Sequence, residues 1–540
     1  MKKLFNIFCI AFFAFVSAVA SNESKNTTQP FPLFERVEMP SFDASEMLRE
    51  DSINEQQGRI GGMRFAKKFF VNLTPENSGT TATLPDGRRV WTVGIVSRGA
   101  FSINLFFDKF QLKEGDTLFV YNTARSQIYS FTAKNNLKSG VLPIPPLNGD
   151  EIVVEFRQSI LRSAAAQSLQ IGEVNHGYRG FQAMPGDLAS ENKDNCSLYA
   201  SCVPEVAEVK QSVCLLIING NEFCSGSLVN NTAQDGKPYI LTAAHCFGNE
   251  YSSEEDKILM APSVVAFFNY EIPDCNLSKP APTDFFISGS VMRALASDID
   301  MALVELSTVP PADFRPYYAG WNLNTVSLPP PFRGIHHPYS VDKRVAVRNG
   351  NISRYPGTPI TGMQADSHWL VASWDIGTTQ PGSSGSPLFD ADMRVVGALT
   401  GGRSQCDNSL SDFYYRFNKA WDYYSQTEKQ LKAWLDPLNA NIGFCNGFNP
   451  LASDANPPRT TKTVVFPNPT NGELRIENGE LEMGNIELFD LSGSRIYNLQ
   501  VKNHTTQLRA DISHLPQGIY LLKITHTNGS ETHKIIVDKK

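Results

Sequence analysis

Eight of the nine cysteines in this chain fall between Cys196 and Cys445. The cysteines therefore mark off a middle section of about 250 residues, with no cysteine after it and a single one, Cys9, before it. At 540 residues the chain is too long for one hydrophobic core, so a multidomain reading follows at once. The ninth cysteine, Cys9, lies in a different setting. Lys2 and Lys3 precede an apolar stretch from Leu4 to Val16, and Ala18-Val19-Ala20 follows. That is the pattern of a secretory signal at 1–20, cut after Ala20. Cys9 lies away from the cut, which argues against a lipid anchor. An exported chain can oxidise its thiols, and an even set of eight suits disulfides. A structural metal is not expected, because no Cys-x-x-Cys pair occurs.

The flank before the cysteines divides in two. Residues 21 to about 60 are polar and aperiodic and read as a flexible leader. From about 65 to 165 the pattern turns to short β-branched or aromatic runs, such as Val90 to Val96, Thr117 to Tyr121 and Glu151 to Phe156. Turn residues such as Glu114-Gly115-Asp116 and Asn148-Gly149-Asp150 separate them, which predicts a small β-sandwich. The middle section, 194–447, also reads as mostly strand and ends on a helical pattern from Glu428 to Leu435. A Pro- and Asn-rich linker covers 448–461, and a last β domain covers 462–540. The expected fold class is mostly β throughout. A net charge of -7 gives no support to nucleic-acid binding.

Two short motifs in the middle section carry chemistry. Gly382-Ser383-Ser384-Gly385-Ser386-Pro387 is a turn that can expose a serine hydroxyl. The same turn can leave the N–H groups of Gly382 and Ser384 free to receive an oxyanion. A serine needs a base, and Leu241-Thr242-Ala243-Ala244-His245-Cys246 supplies His245 at the end of an apolar run. The base needs a carboxylate to hold its tautomer. Asp300 abuts the apolar run Met301 to Leu306 and is the favoured residue. Asp298, two residues earlier, is the competitor, read instead as capping or solvating the loop. His245, Asp300 and Ser384 together predict a serine peptidase acting on protein or peptide substrates, with no cofactor.

These stretches resemble the chymotrypsin-like peptidases, whose fold is two β-barrels with the triad between them. More narrowly, the section resembles bacterial lysyl endopeptidases. Matching stretches are Gly226 to Ala233, Ala319-Gly320-Trp321, Ile335-His336-His337-Pro338, Pro381 to Pro387, Ser411-Asp412 and Trp434 to Pro437. The resemblance implies hydrolysis after basic residues, lysine above all. Thr400, Gly401 and Gly402 would form one pocket wall and Asp412 would meet the substrate cation. A carboxylate in a poorly screened pocket favours a cation strongly. The chain departs from the family at Thr400, where better-known members carry His, and it lacks a matching Trp ahead of the nucleophile. Arginine or broader specificity is the enzyme alternative, and a catalytically inactive surface adhesin is the rival from another class. His336-His337 is read as structural, on a surface loop. The resemblance further implies disulfides Cys196–Cys406, Cys202–Cys275 and Cys224–Cys246, with Cys214 and Cys445 left to pair. Ser383 stands where ion-pair-activated relatives carry an acid, so activation by that route is excluded. Cleavage after Lys193 would instead release 21–193 as a propeptide, which makes the chain a zymogen.

The tail opens on Thr463 to Gly472 and continues through Ile486 to Gly493 and Leu515 to Ile524. It resembles the C-terminal sorting domain of type IX secretion substrates in Bacteroidetes. That implies an encounter with the secretion machinery, and release from or display on the outer membrane of a Gram-negative bacterium. A monomer is expected.

Overall fold

A computed structural model describes residues 34–539 apart from 57–60, 86, 160–167, 181–195, 250, 276–278, 326–327, 453–463, 478–482, 491–493, 501–506 and 527–528. The expected signal segment with Ala20, and the expected cut at Lys193, lie outside the described residues. The described chain is mostly β.

The N-terminal part packs a six-stranded sheet on a five-stranded one. Alternating residues from both faces, among them Val93, Ile95, Leu105, Phe107, Val120, Ile152 and Val154, form one apolar core. The sandwich extends past 165. Ser168–Gly177 pairs with both Ser102–Gln111 and Ala66–Leu73, and so lies in the middle of the second sheet. Within the segment read as a flexible leader, the described residues form two regular elements. Arg36–Glu38 adds a parallel strand to Arg89–Val96, and Ala44–Gln56 is a helix.

The cysteine-bearing part is built on two further sheets. In the first, Val213–Ile218, Glu222–Leu228, Tyr239–Ala243, Met301–Leu306 and Ser290–Ala296 are successive neighbours. In the second, Phe332–His336, Pro387–Phe389, Arg394–Gly402, Asp412–Arg416 and His368–Val371 are successive neighbours. A shared core joins the sheets. Leu241 and Met301 of the first pack with Ile335, Val395 and Tyr415 of the second, around Trp321. The Tyr415 hydroxyl crosses the seam and donates to the Thr242 carbonyl at 3.0 Å. The helical pattern expected over Glu428 to Leu435 breaks into two short turns, Thr427–Lys429 and Lys432–Leu435, with Leu431 and Leu435 in the core and Trp434 packed against it. The last β part has a three-stranded and a four-stranded sheet around Leu474, Ile476, Leu488, Leu522 and Ile524.

Candidate active site

The seam between the two cysteine-bearing sheets gathers the motif residues. His245 sits in the short turn after Tyr239–Ala243, and Asp300 directly precedes the neighbouring strand Met301–Leu306. Pairing of those strands brings Ala243 opposite Met301, which sets Asp300 beside His245. The His245 backbone N–H donates to Asp300 Oδ1 at 3.0 Å, and Nδ1 lies 2.9 Å from Oδ2 and 3.1 Å from Oδ1. Both side chains are buried. A carboxylate only accepts, so this geometry fixes the imidazole proton on Nδ1 and leaves Nε2 bare. Nε2 has no hydrogen-bond partner among the described residues. Asp300 adopts φ +65°, a left-handed backbone that is uncommon outside glycine and that recurs where a site constrains the chain. Asp298 points elsewhere, accepting from Gln364 Nε2 at 3.0 Å and from the Tyr424 hydroxyl.

Ser384 comes from the second sheet, in the turn before Pro387–Phe389. Its carbonyl accepts from Ser225 N–H of the first sheet at 2.8 Å, and the Ser225 hydroxyl donates to the Gly382 carbonyl at 3.0 Å. The turn needs its glycine at 385. The φ there is +78°, and an added Cβ would meet the Ser225 carbonyl at 2.5 Å. Within the turn the N–H groups of Ser383, Gly385 and Ser386 bond to Gln380, Leu399 and Ser383 carbonyls. Those of Gly382 and Ser384 donate to no acceptor among the described residues, the disposition an oxyanion site requires. Ser384 Oγ makes no hydrogen bond to His245 Nε2. Catalytic contacts of this kind are often loose until substrate binds.

Ser384 opens onto a cleft of about 1140 Å³ lined also by Thr379, Leu399, Thr400, Gly401, Gly402 and Asp412. Asp412 is fully buried at the start of Asp412–Arg416. One oxygen, Oδ2, accepts from Trp374 Nε1 at 2.6 Å and Thr379 Oγ1 at 2.7 Å, while Oδ1 has no hydrogen-bond partner among the described residues. Burial pushes the carboxyl up to about 6 against these hydrogen bonds. A side chain at Gly402 would collide with Oδ1, so glycine there keeps that oxygen reachable. Thr400 hydrogen-bonds His368 Nε2 at 2.9 Å through its hydroxyl.

Three side chains of the site escaped the sequence. Trp374 and Thr379 grip Asp412 from more than thirty positions away, a pairing that only the fold creates. His336 was expected on a surface loop but is fully buried, because Phe332–His336 is an interior strand of the second sheet. Its Nδ1 lies 2.8 Å from the Ser383 hydroxyl. His337 is equally buried, with Nδ1 on the Val341 carbonyl at 3.1 Å.

Disulfides join Cys196 to Cys406, Cys202 to Cys275 and Cys224 to Cys246. The last ties the strand carrying Ser225 to the residue after His245. The expected Cys214–Cys445 bridge is not formed. Both are free and buried, Cys214 against Leu216 and Ala266 in one core and Cys445 against Trp321 in another. Burial pushes each thiol up to about 12.

Residues 190–425 match the family model of the lysyl endopeptidase C-terminal domain, and residues 464–538 match that of the secretion system C-terminal sorting domain. The lysyl endopeptidase of Pseudomonas aeruginosa is 24% identical over 383 residues, which span 66% of this chain and 79% of the relative. Among solved structures, a Glu endopeptidase in complex with MPD aligns at 15% identity and TM-score 0.28, covering 42% of this chain and 92% of that one. The active form of the Rv3671c protease from M. tuberculosis aligns at 14% identity and TM-score 0.26, covering 48% and 89%. The chain thus carries a serine protease domain homologous to lysyl endopeptidase. The sorting domain makes it a secreted or surface protein of a Gram-negative cell.

Proposed function

We propose that the chain is a secreted serine endopeptidase that cuts after lysine, with its triad at His245, Asp300 and Ser384 in a two-barrel, chymotrypsin-like domain over 194–447. Ser384 Oγ attacks the scissile carbonyl while His245 Nε2 takes its proton. The Asp300 carboxylate holds Nδ1–H and stabilises the imidazolium that forms. The oxyanion falls to the N–H groups of Gly382 and Ser384, each worth about 3 kcal/mol in the transition state. On collapse His245 returns the proton to the leaving amine, and water then frees the acyl group by the same steps. The observation that carries the lysine preference is Asp412: a desolvated carboxylate with one oxygen unpartnered among the described residues, in the cleft that holds Ser384. The name of the Pseudomonas relative points the same way.

Residues 21–193 are read as the propeptide, removed by a cut after Lys193, and the C-terminal domain as the handle for the secretion machinery. Cleavage-site profiling on a mixed proteome tests the specificity: lysine before the cut supports it, and an even spread over other residues refutes it. A fluorophosphonate should label Ser384 in the wild type and not in Ser384→Ala; no labelling of the wild type would favour an inactive adhesin. N-terminal sequencing of the mature form should begin at Asp194.

A further inference from the structure

The N-terminal part lines the cleft with Asp51, Asn54 and Arg179 and adds one short strand beside it. Met63–Arg64 pairs antiparallel with Glu222–Phe223, with Arg64 opposite Glu222 and Met63 opposite Phe223. The ladder continues at Phe65, whose N–H donates to the Asn221 carbonyl at 2.9 Å. The Phe65 ring stacks on Phe223 with centroids 3.9 Å apart, and both are fully buried. Flanking contacts pin this strand: Lys68 Nζ bonds Asn219 Oδ1 at 2.6 Å and Asn104 Nδ2 bonds the Gly220 carbonyl at 2.9 Å.

Polarity gives the pairing its meaning. Ser225, further along the same strand, is bonded to the Ser384 carbonyl, so passing back from Ser225 to Glu222 leads away from the nucleophile. An antiparallel partner therefore runs N to C away from Ser384. That is the direction of the half of a substrate that departs as the amine. Gly61 and Gly62 stand at the near end, lining the cleft with Ser384 and offering no side chain to Asp412. Opposite Glu222 stands the Arg64 guanidinium, itself held by Asp51 at 2.7 Å and Glu50 at 3.0 Å. Glu222 keeps some solvent contact, yet burial pushes its carboxyl up to about 7 against the fields of Lys68, Arg64 and His245, with Asp51 adding to the rise.

We propose that in the uncut chain Met63-Arg64-Phe65 fills the strand edge at Asn221–Phe223, and that Glu222 there selects a cationic side chain on the leaving half of a substrate that takes the same place. Strand addition supplies backbone hydrogen bonds, and the cross-strand partner supplies selectivity. The proposal rests on the reading of Ser384 as nucleophile.

Two measurements test it. Peptides released by the processed enzyme from a library are sequenced. Lysine or arginine should be enriched about fivefold at the second or third residue after the cut, and Glu222→Gln should abolish the enrichment. A flat profile overturns the subsite. On the intact full chain, identified by its mass, fluorophosphonate labelling of Ser384 should be slow, and Met63→Pro should speed it about tenfold by removing a ladder N–H. Arg64→Glu, which sets like charges across the pair, should act in the same direction without altering the backbone. Unchanged rates in both variants overturn the occupancy. Failure of the processed wild type to hydrolyse a lysyl amide reporter, which has no residue after the lysine except the dye, would instead refute the reading of the site itself.

Discussion

Asp412→Asn should separate specificity from stability, and it does so in opposite directions. The substitution keeps shape and an acceptor oxygen for Trp374 Nε1 and Thr379 Oγ1, now 2.6 and 2.7 Å from Oδ2, and deletes the charge. A substrate ammonium meeting Asp412 is an ion pair away from solvent, and loss of such a partner costs about 2–5 kcal/mol, or roughly 30- to 5000-fold in kcat/KM. Folding responds the other way. The carboxyl rises from 3.8 to about 6 on folding, because burial outweighs its hydrogen bonds. Between those values the folded chain holds a proton that the unfolded chain has released, so this group's contribution to stability falls as pH rises through the window and is at its worst above 6. The displacement corresponds to roughly 3 kcal/mol. Asp412→Asn should therefore raise the Tm of the protease domain at pH 7 by on the order of 5–10 °C, and leave it unchanged near pH 4. In the wild type, kcat/KM on lysyl substrates should fall about tenfold per pH unit below 6, on top of any loss from His245 that a neutral-side-chain substrate also reports. Paired lysyl and neutral amide substrates, with scanning calorimetry at the two pH values, give all the numbers. An Asn variant that keeps its lysine preference, or that melts lower at pH 7, refutes the reasoning.

Two further substitutions probe the parts that hold the triad. Asp300→Asn would offer Nδ1 an amide donor or a weaker acceptor in place of the carboxylate 2.9 Å away, shifting the proton to Nε2; kcat should drop about 10⁴-fold with KM little changed, read by steady-state kinetics. His336→Leu takes away the 2.8 Å partner of the buried Ser383 hydroxyl and leaves it the Gln380 N–H at 3.2 Å alone, an incompletely satisfied buried group that costs about 1–3 kcal/mol. The turn that carries Ser384 should loosen, lowering kcat about 10- to 100-fold with the pH profile unchanged; the profile stays put because burial already holds His336 near 3 and so neutral across the working range.

The strands that sequence could mark are those whose apolar residues alternate or run unbroken, such as Arg89–Val96 and Glu151–Arg157, where burial of one face leaves a periodic trace. Ser168–Gly177 left no such trace. Glu173, Asn175 and His176 interrupt it, and the fold accommodates the last through a 2.7 Å hydrogen bond between His176 Nδ1 and the Ser97 hydroxyl that no local pattern announces. The helix Ala44–Gln56 is mostly polar, with Leu48 and Ile53 left exposed, and its tether is a cluster around Asp51, with Arg64, Tyr178 and Arg179 brought from afar. Within the site, His245, Asp300 and Ser384 could be singled out because each lies in a short motif at a strand end. Trp374, Thr379 and His336 could not, since nothing near them in sequence tells an indole or imidazole of the core from one that holds a catalytic group. The mispairing of Cys214 and Cys445 has the same root: counting thiols ignores that each faces a different core.

The His336–Ser383 contact and the strand Met63–Arg64 beside the cleft bear on one question, namely what would keep the proposed enzyme silent before the proposed cut after Lys193. Ser383 carries no charge, so it has no use for a newly exposed amino terminus, and His336 already holds it in place in the uncut chain. The oxyanion turn is likewise formed, with Gly382 and Ser384 N–H groups available. A site assembled in this way needs no chemical trigger, and control passes to whatever occupies the cleft. Activation should then depend on departure of the N-terminal part and not on which residue becomes the new terminus. Replacing Lys193 and its neighbours by the recognition sequence of an unrelated protease tests this. Cutting there should release full activity whether the new chain begins with Asp194 or carries several extra residues. A strict dependence on the terminal residue would show instead that a buried amino group completes the site.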